Sequence, residues 1–340
     1  MRTLFGVVVA AALLWFGGLP CLGAGPQAAS GAERLRFLNY PNCILLTNPQ
    51  VRVVLCPDAG GRVLEYAWKG TNTLHLDPAE AKWQPGKVDR EVPVSAGRFD
   101  IGPEQIIPQR PELWSGAWMG EITGARSARL TSPSSAATGV QLVREFELAS
   151  GTSHLVCRQI IRNVSDHTVE WCHWSRTFGE GGGIVWIPLT PPSRFPNSYV
   201  MYEGRGVINF RPSDPNIRVR EGFLEITGPP AYPKLGMDSY AGWFAYQERS
   251  GMLFVKRFRA DPDRVYNEVA GLTISIWYPN NQLVVELEPI GPRERLQPGK
   301  VASFVEEWWL LESAFPRAGE TVDLRALQRR VEKETRRSVK

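Results

Sequence analysis

The sequence feature that most restricts the fold is its punctuation: short apolar or alternating runs recur along the chain, each closed by Gly, Pro, Asn or Asp. Ile44-Leu45-Leu46 and Val51 to Leu55 flank a turn at Pro49-Gln50, Arg62 to Trp68 follows Gly60-Gly61, and Asn72 to Leu76 follows a further turn. The series continues with Val140 to Leu148, His154 to Arg162, Val169 to Phe178, Ile217 to Ile226, Met252 to Phe258, Leu272 to Trp277, Leu283 to Glu288 and Ser303 to Leu311. Runs of this length and spacing predict an all-β sandwich or barrel. The 32 Gly, 27 Pro and 12 Trp among 340 residues agree, because turn formers and aromatic side chains suit strands better than a helical bundle. Helical spacing emerges only at the end, where Leu324, Leu327 and Val331 recur among Arg, Glu and Lys after Asp323, a suitable N-cap.

Two stretches break the rhythm. Residues 78 to 118 are rich in prolines and acids, and residues 179 to 216 open with Gly179-Glu180-Gly181-Gly182-Gly183 and continue through Pro188, Pro191, Pro192 and Pro196. Long irregular loops on a compact scaffold are uncommon and tend to carry function, although they can also simply close the end of a sandwich. No internal repeat interrupts the pattern.

The N-terminus has the form of an export signal. Arg2 supplies the positive start, Leu4 to Leu19 the apolar run, and Gly23-Ala24 the small residues of a cleavage region. The run is short for a membrane span and ends at Gly17, Gly18 and Pro20. Cys21 follows Gly18-Leu19-Pro20, a poor match to a lipoprotein signal. The expected organisation is a signal peptide over 1–24, a linker over 25–34, a sandwich domain over 35–315 and a charged C-terminal helix over 316–340. A periplasmic or secreted protein without a retained span follows.

Export permits disulfides. Cys43 and Cys56 lie symmetrically about Pro49-Gln50, and Cys157 and Cys172 about Val164-Ser165. If both segments are hairpins, each pair faces across two strands within bridging distance; the other reading is four buried free thiols. No cysteine pair has the two-residue gap of a zinc site, the four His are dispersed, and no loop has calcium-ligand spacing. The glycines at 179–183 lack the strand and helix context of a phosphate or dinucleotide loop, so no cofactor is implied. A net charge of +4, with Lys and Arg scattered, argues against a nucleic-acid partner.

Three stretches together resemble the galactose mutarotase-like superfold of the aldose 1-epimerases. Asn42 to Asp77 includes Pro57-Asp58-Ala59-Gly60-Gly61-Arg62-Val63, similar to the family's opening strand pair and Gly-Gly-Arg turn. Arg162-Asn163-Val164-Ser165-Asp166 and Trp171-Cys172-His173-Trp174 resemble its strand-turn-strand element ending in His. Val285-Glu286-Leu287-Glu288-Pro289 and Leu296-Gln297-Pro298-Gly299 are similar to its late acidic strand and the turn after it. Lys234 to Gly236 and Gly242 to Lys256 also resemble an uncharacterised bacterial branch. The resemblance implies a β-supersandwich that binds a carbohydrate: a monosaccharide, a uronic acid or an oligosaccharide end.

Mutarotation needs a base for the anomeric hydroxyl and an acid for the ring oxygen. The resemblance assigns Glu288 as base, with Glu286 in reserve on the same face by strand alternation, and His173 as acid. It places Arg62 against the sugar, and Arg176 and Lys234 join it as polar candidates. Trp114, Trp118, Trp174, Trp186 and Trp243 are aromatic faces on which a pyranose could stack. The competing readings are a strand Glu paired with Arg, a His satisfied in the core, an Arg in a structural ion pair and Trp in sheet packing. The sequence departs from the family at Cys172-His173-Trp174-Ser175-Arg176, and Trp114-Ser115-Gly116-Ala117-Trp118 stands where a second His is usual. A non-catalytic carbohydrate-binding or envelope-accessory protein is therefore the alternative to an isomerase.

Overall fold

The structure, a computed structural model, describes residues 31–84, 93–204, 206–279 and 283–335. The expected signal peptide and Cys21 lie outside the described residues. Two antiparallel sheets face each other. The first, of twelve strands, runs in the order Gly31–Phe37, Tyr40–Thr47, Val51–Cys56, Arg62–Trp68, Gly97–Gly102, Val169–Glu180, Val284–Leu296, Ile274–Trp277, Lys234–Met237, Val200–Gly204 and Val207–Asn209, with Thr71–Asn72 beside Arg62–Trp68. The second, of ten, runs Ile217–Arg220, Phe223–Ile226, Ile184–Pro188, Trp243–Gln247, Met252–Phe258, Val301–Glu312, Leu155–Asn163, Val140–Leu148, Ser127–Ser135 and Met119–Gly124.

Strand alternation builds the core. Val53, Leu55, Phe99 and Ile101 from the first sheet meet Leu142, Phe146, Ile161 and Trp308 from the second in one buried cluster. The outer face of the second sheet is covered by the C-terminal helix Leu324–Glu334, whose N-cap Asp323 accepts from Ala326 N at 2.8 Å. Leu324, Leu327 and Val331 pack on Trp186, Trp243, Leu253 and Trp309. Burying such a side chain fully contributes roughly 1.5–3 kcal/mol, so the helix belongs to the fold.

Four expectations need correction. Residues 31–34 of the expected linker are part of the first strand, paired with Ile44–Thr47. Ile217 to Ile226 is a hairpin of two strands, turned at Glu221-Gly222 with φ of 50° and 81°. The irregular stretches contain the strands Gly97–Gly102, Ile184–Pro188 and Val200–Gly204. Cys157 and Cys172 do not face each other, because Leu155–Asn163 lies in the second sheet and Val169–Glu180 in the first. The Asn163 amide fixes that crossover by donating to His167 O at 2.7 Å and Leu296 O at 2.9 Å. Spacing symmetric about a turn opposes two residues only when both strands stay in one sheet. Cys43 and Cys56 do sit across neighbouring strands, one step beyond the Ile44–Leu55 pair. All four are buried free thiols.

Candidate functional site

The site is built on the outer face of the first sheet, where Gly97–Gly102, Val169–Glu180 and Val284–Leu296 lie side by side. Phe99, Ile101, His173, Ser175 and Thr177 point toward the second sheet, so alternation sends Arg98, Asp100, Trp174, Arg176, Glu286 and Glu288 outward. From beneath, fully buried Lys256 pins the strand pair. It donates to Ser175 Oγ (3.2 Å), Thr177 Oγ1 (2.8 Å) and Leu287 O (3.2 Å) and pairs with Glu306 at 3.0 Å.

Glycines let the covering segments approach. Gly60 and Gly61 have φ of 72° and 57°, and a Cβ on either would strike Trp114 O at 2.2 Å or the Trp118 ring at 2.3 Å. Gly60 N donates to Gly116 O at 2.8 Å and Trp118 N to Pro57 O at 2.7 Å, which docks the helical turn Pro111–Trp114 over the sheet. Gly102 is required at its place because its Cβ would lie 2.6 Å from the Trp174 ring.

Arg176 is the hub. Its guanidinium lies 3.3 Å from Glu288, 3.8 Å from Glu286 and 3.4 Å from both Asp100 and Glu104. Arg110 grips Asp100 with two hydrogen bonds, and Lys234 pairs with Glu104. Cations also occupy the indole faces. Arg98, Arg110 and Arg176 lie 4.6, 5.5 and 5.6 Å from Trp114, and Arg176 and Lys234 lie 4.6 and 5.1 Å from Trp174. Side-chain exposure falls from 38% at Glu104 through 15% at Lys234 and 10% at Arg176 to 0% at Glu288, so the cluster is partly exposed at its rim and closed at the strand carboxyls.

Burial acts against the Arg176 cation, but Glu286, Glu288, Asp100 and Glu104 outweigh it and keep it charged. Burial also disfavours the Glu104 carboxylate, yet Lys234 and Arg176 hold its pKa below the usual range. Glu286 is pushed well above that range by burial and then by the neighbouring Glu288. Glu268 is pushed up to about 7, by burial first, with Glu104 and Glu288 adding to the effect and Lys234 opposing it. Several buried polar atoms here make no well-formed hydrogen bond among the described residues: Glu268 Oε1, Glu286 Oε1, Glu288 Oε2, Trp174 Nε1 and the Tyr202 hydroxyl; Glu286 lies against Glu288 and Arg176, and Tyr202 against Glu268. Native interiors rarely leave such groups unmade, which makes this cluster a candidate place for a ligand.

The candidates from the sequence divide clearly. Glu286, Glu288, Arg176, Trp114, Trp174 and Lys234 converge. His173 does not: it is stacked in the core between Phe99 (5.8 Å) and Phe304 (5.7 Å), with burial pulling its pKa down to about 3. An extra residue at Gly291-Pro292 shifts the register beside it, between the Cys172–Arg293 and Trp174–Ile290 pairs. An imidazole there faces the other sheet and cannot reach the outer face. Arg62 forms a buried ion pair with Glu80, joined by the Tyr40 hydroxyl at 2.8 Å. Trp118 lies in the inter-sheet core, and Trp186 and Trp243 lie beneath the C-terminal helix.

No protein-family model matches this sequence, and no curated protein matches it in sequence. Solved structures match its shape. The Slr1438 protein of Synechocystis sp. PCC 6803 superposes with a TM-score of 0.57 at 16% identity, over 83% of this chain and 100% of its own. A candidate aldose 1-epimerase of Escherichia coli K12 gives 0.55 at 11% identity, over 80% and 99%. A galactose mutarotase-like protein of Lactobacillus casei ATCC 334 gives 0.52 at 10%, over 79% and 100%. The chain has the galactose mutarotase-like fold.

Within this mutarotase-like sandwich, sequence reasoning missed Arg98, Asp100, Glu104, Arg110, Tyr202 and Glu268. Asp100, Glu104 and Arg110 sit in the acid- and proline-rich stretch 78–118, whose irregularity was the available signal. Glu268 is an isolated loop acid with none. A hollow of about 610 Å³ lies elsewhere, lined by Tyr240–Gly242, Arg257–Ala260, Val305, Glu307 and Thr335. It contributes one unpartnered buried polar atom, the Tyr240 hydroxyl, and the outer face of the first sheet is chemically the richer candidate.

Proposed function

We propose that this protein binds a sugar on the outer face of the first sheet and exchanges its anomers by carboxyl acid–base catalysis. The observation that carries the reading is the cluster of buried carboxyls around Arg176, in which Glu286 Oε1 and Glu288 Oε2 make no hydrogen bond, beside the partly exposed Glu104 and Lys234. The fold shared with a candidate aldose 1-epimerase supports it. In this scheme Glu288 takes the anomeric hydroxyl proton while a protonated Glu286 donates to the ring oxygen as the bond from that oxygen to the anomeric carbon breaks. The aldehyde rotates and the ring recloses with the two roles reversed, so no proton is gained or lost. The reacting oxygens are bonded to the same carbon, and two carboxyls side by side on one strand can address both. Arg176 holds the pair in register, and burial maintains the protonated partner that a general acid needs.

A binding-only protein is the second reading, favoured by the ion pairing of Arg176 with both carboxyls and by the cations already covering the indole faces. Saturation-transfer and exchange NMR against a panel of monosaccharides and uronic acids separates the two. Catalysis requires faster α/β interconversion that is lost in Glu288→Gln and Glu286→Gln; binding without faster exchange supports the second reading. Neither effect refutes both. The signal-like segment 1–24 leads us to place this activity outside the cytoplasm, which N-terminal sequencing of the mature protein checks.

A further inference from the structure

The second sheet carries a charged hollow that the sugar-binding reading does not use. It measures about 300 Å³ and lies where the edge hairpin of Ile217–Arg220 and Phe223–Ile226 meets the turn at Arg249 and the segment 315–322 leading into the C-terminal helix. Arg218, Arg220, Arg249 and Arg317 line it, against two acids, Glu225 and Glu320. Arg220 and Glu225 are occupied with each other. Arg220 Nε and Nη2 donate to the Glu225 carboxylate at 3.3 and 3.1 Å, and its Nη1 reaches Glu221 and Val322 O, each at 3.0 Å. Trp186 Nε1 also donates to Glu225, at 3.2 Å. Burial disfavours that carboxylate, yet Arg220 and Trp186 hold its pKa below the usual range. Glu320 accepts from the backbone of Arg317 N at 2.8 Å.

The three remaining guanidiniums, of Arg218, Arg249 and Arg317, make no ion pair and no side-chain hydrogen bond among the described residues. Arg249 is nevertheless held in place. It lies over the Phe315 ring at 4.7 Å and against Gly182, where a Cβ would come within 3.0 Å of its Nε. Gly182 has a φ of 82°, so the glycine run at 181–183, which lacks the context of a phosphate loop, forms here the wall on which an arginine rests. Stacking uses the face of a guanidinium and leaves its in-plane N–H groups free to donate. Like charges gathered in one hollow repel each other, and a bound anion relieves that repulsion.

We propose that this hollow binds an oxyanion, a carboxylate, sulfate or phosphate group, between Arg218, Arg249 and Arg317. The planar fork of each guanidinium matches two oxygens of such a group, a neutral ligand would leave the three charges opposed, and a cation would be repelled. The hollow belongs to the other sheet from the Arg176 cluster, so the proposal stands independently of the reading given there.

The test is isothermal titration of the mature protein at pH 7 with inorganic sulfate, inorganic phosphate and citrate, each against chloride at matched ionic strength. Arg218→Gln, Arg249→Gln and Arg317→Gln are suitable variants, because all three side chains are exposed and their loss leaves the core intact. Arg295→Gln, with a side chain 75% exposed on the first sheet, removes the same charge elsewhere. At least one oxyanion should bind saturably. Each variant of the hollow should weaken it about three- to fivefold, the upper range for an exposed charge pair, and Arg295→Gln by less than about 1.5-fold. Tighter binding of sulfate or phosphate than citrate supports a tetrahedral ester as the natural group, and the reverse supports a carboxylate. No saturable binding by any of the three, or an equal loss in Arg295→Gln, overturns the proposal and leaves the sugar-binding reading standing.

Discussion

Replacing Arg176 by Met tests whether the charge hub is organised as described. The substitution roughly conserves the length of the side chain and deletes the one cation shared by Asp100, Glu104, Glu286 and Glu288. Arg176 is 9% exposed and Glu288 0%, so solvent cannot replace the lost guanidinium. Removing one partner of a buried pair typically costs about 3–5 kcal/mol. Unfolding entropy of about 2.1 cal/mol/K per residue over roughly 300 folded residues converts this to a Tm loss of about 5–8 °C. The loss should depend on pH. Without the cation, nothing beside Glu286 offsets the burial and the neighbouring Glu288 that already hold its pKa well above the usual range, so the variant's native state keeps that proton to higher pH than its unfolded chain does. Stability of the variant therefore falls as pH rises above the ordinary carboxylate range, and the deficit is largest near and above neutral pH. Urea unfolding at pH 7.5 and 4.5 measures it, with the deficit expected to fall by half or more at the lower pH. A deficit under about 1 kcal/mol at pH 7.5, or an equal one at both pH values, would refute the hub.

Two further outcomes follow from buried titratable groups. Glu268 has a folded pKa of about 7 against an ordinary 4.5, so its contribution to stability is complete below about pH 4.5 and is lost as pH rises through 7. Glu268→Gln should flatten the stability decline across that window in urea titrations, and an unchanged slope would contradict the assignment. His173→Phe should leave any anomer exchange intact and change stability at neutral pH by less than about 1.5 kcal/mol, because an aromatic ring replaces one stacked between two others. The native imidazole, with its pKa depressed to about 3, loses its contribution as pH falls from about 6.5 toward 3, and the variant should not. A tenfold loss of exchange in His173→Phe would restore His173 to the chemistry.

Much of the architecture is legible in the chain because local rules act at short range. Val140–Leu148 and Met252–Phe258 appear with the boundaries their alternation predicts, and Asp323 caps the terminal helix. Alternation also puts Glu286 and Glu288 on one face, and Arg176 on the face opposite His173. The strands Gly97–Gly102 and Lys234–Met237 were hidden because they are short and carry Arg, Asp, Lys and Gly, residues that read as loop until neighbouring strands pair with them.

The sequence by itself determined the period of the strands, the turn chemistry and the pairing of like-facing residues within a strand. Those properties depend on dihedral preference and on a two-residue repeat. The tertiary structure alone decided which face is the outside. A period of two leaves the two sides of a strand equivalent until another sheet covers one of them. The second sheet, with Phe304 and Lys256, takes the side of His173 and Ser175 and leaves Arg176 to the acids. It also decided that Glu104 and Glu268, 164 positions apart in the chain, meet at one carboxyl cluster, because only chain closure brings distant loops over the same strands.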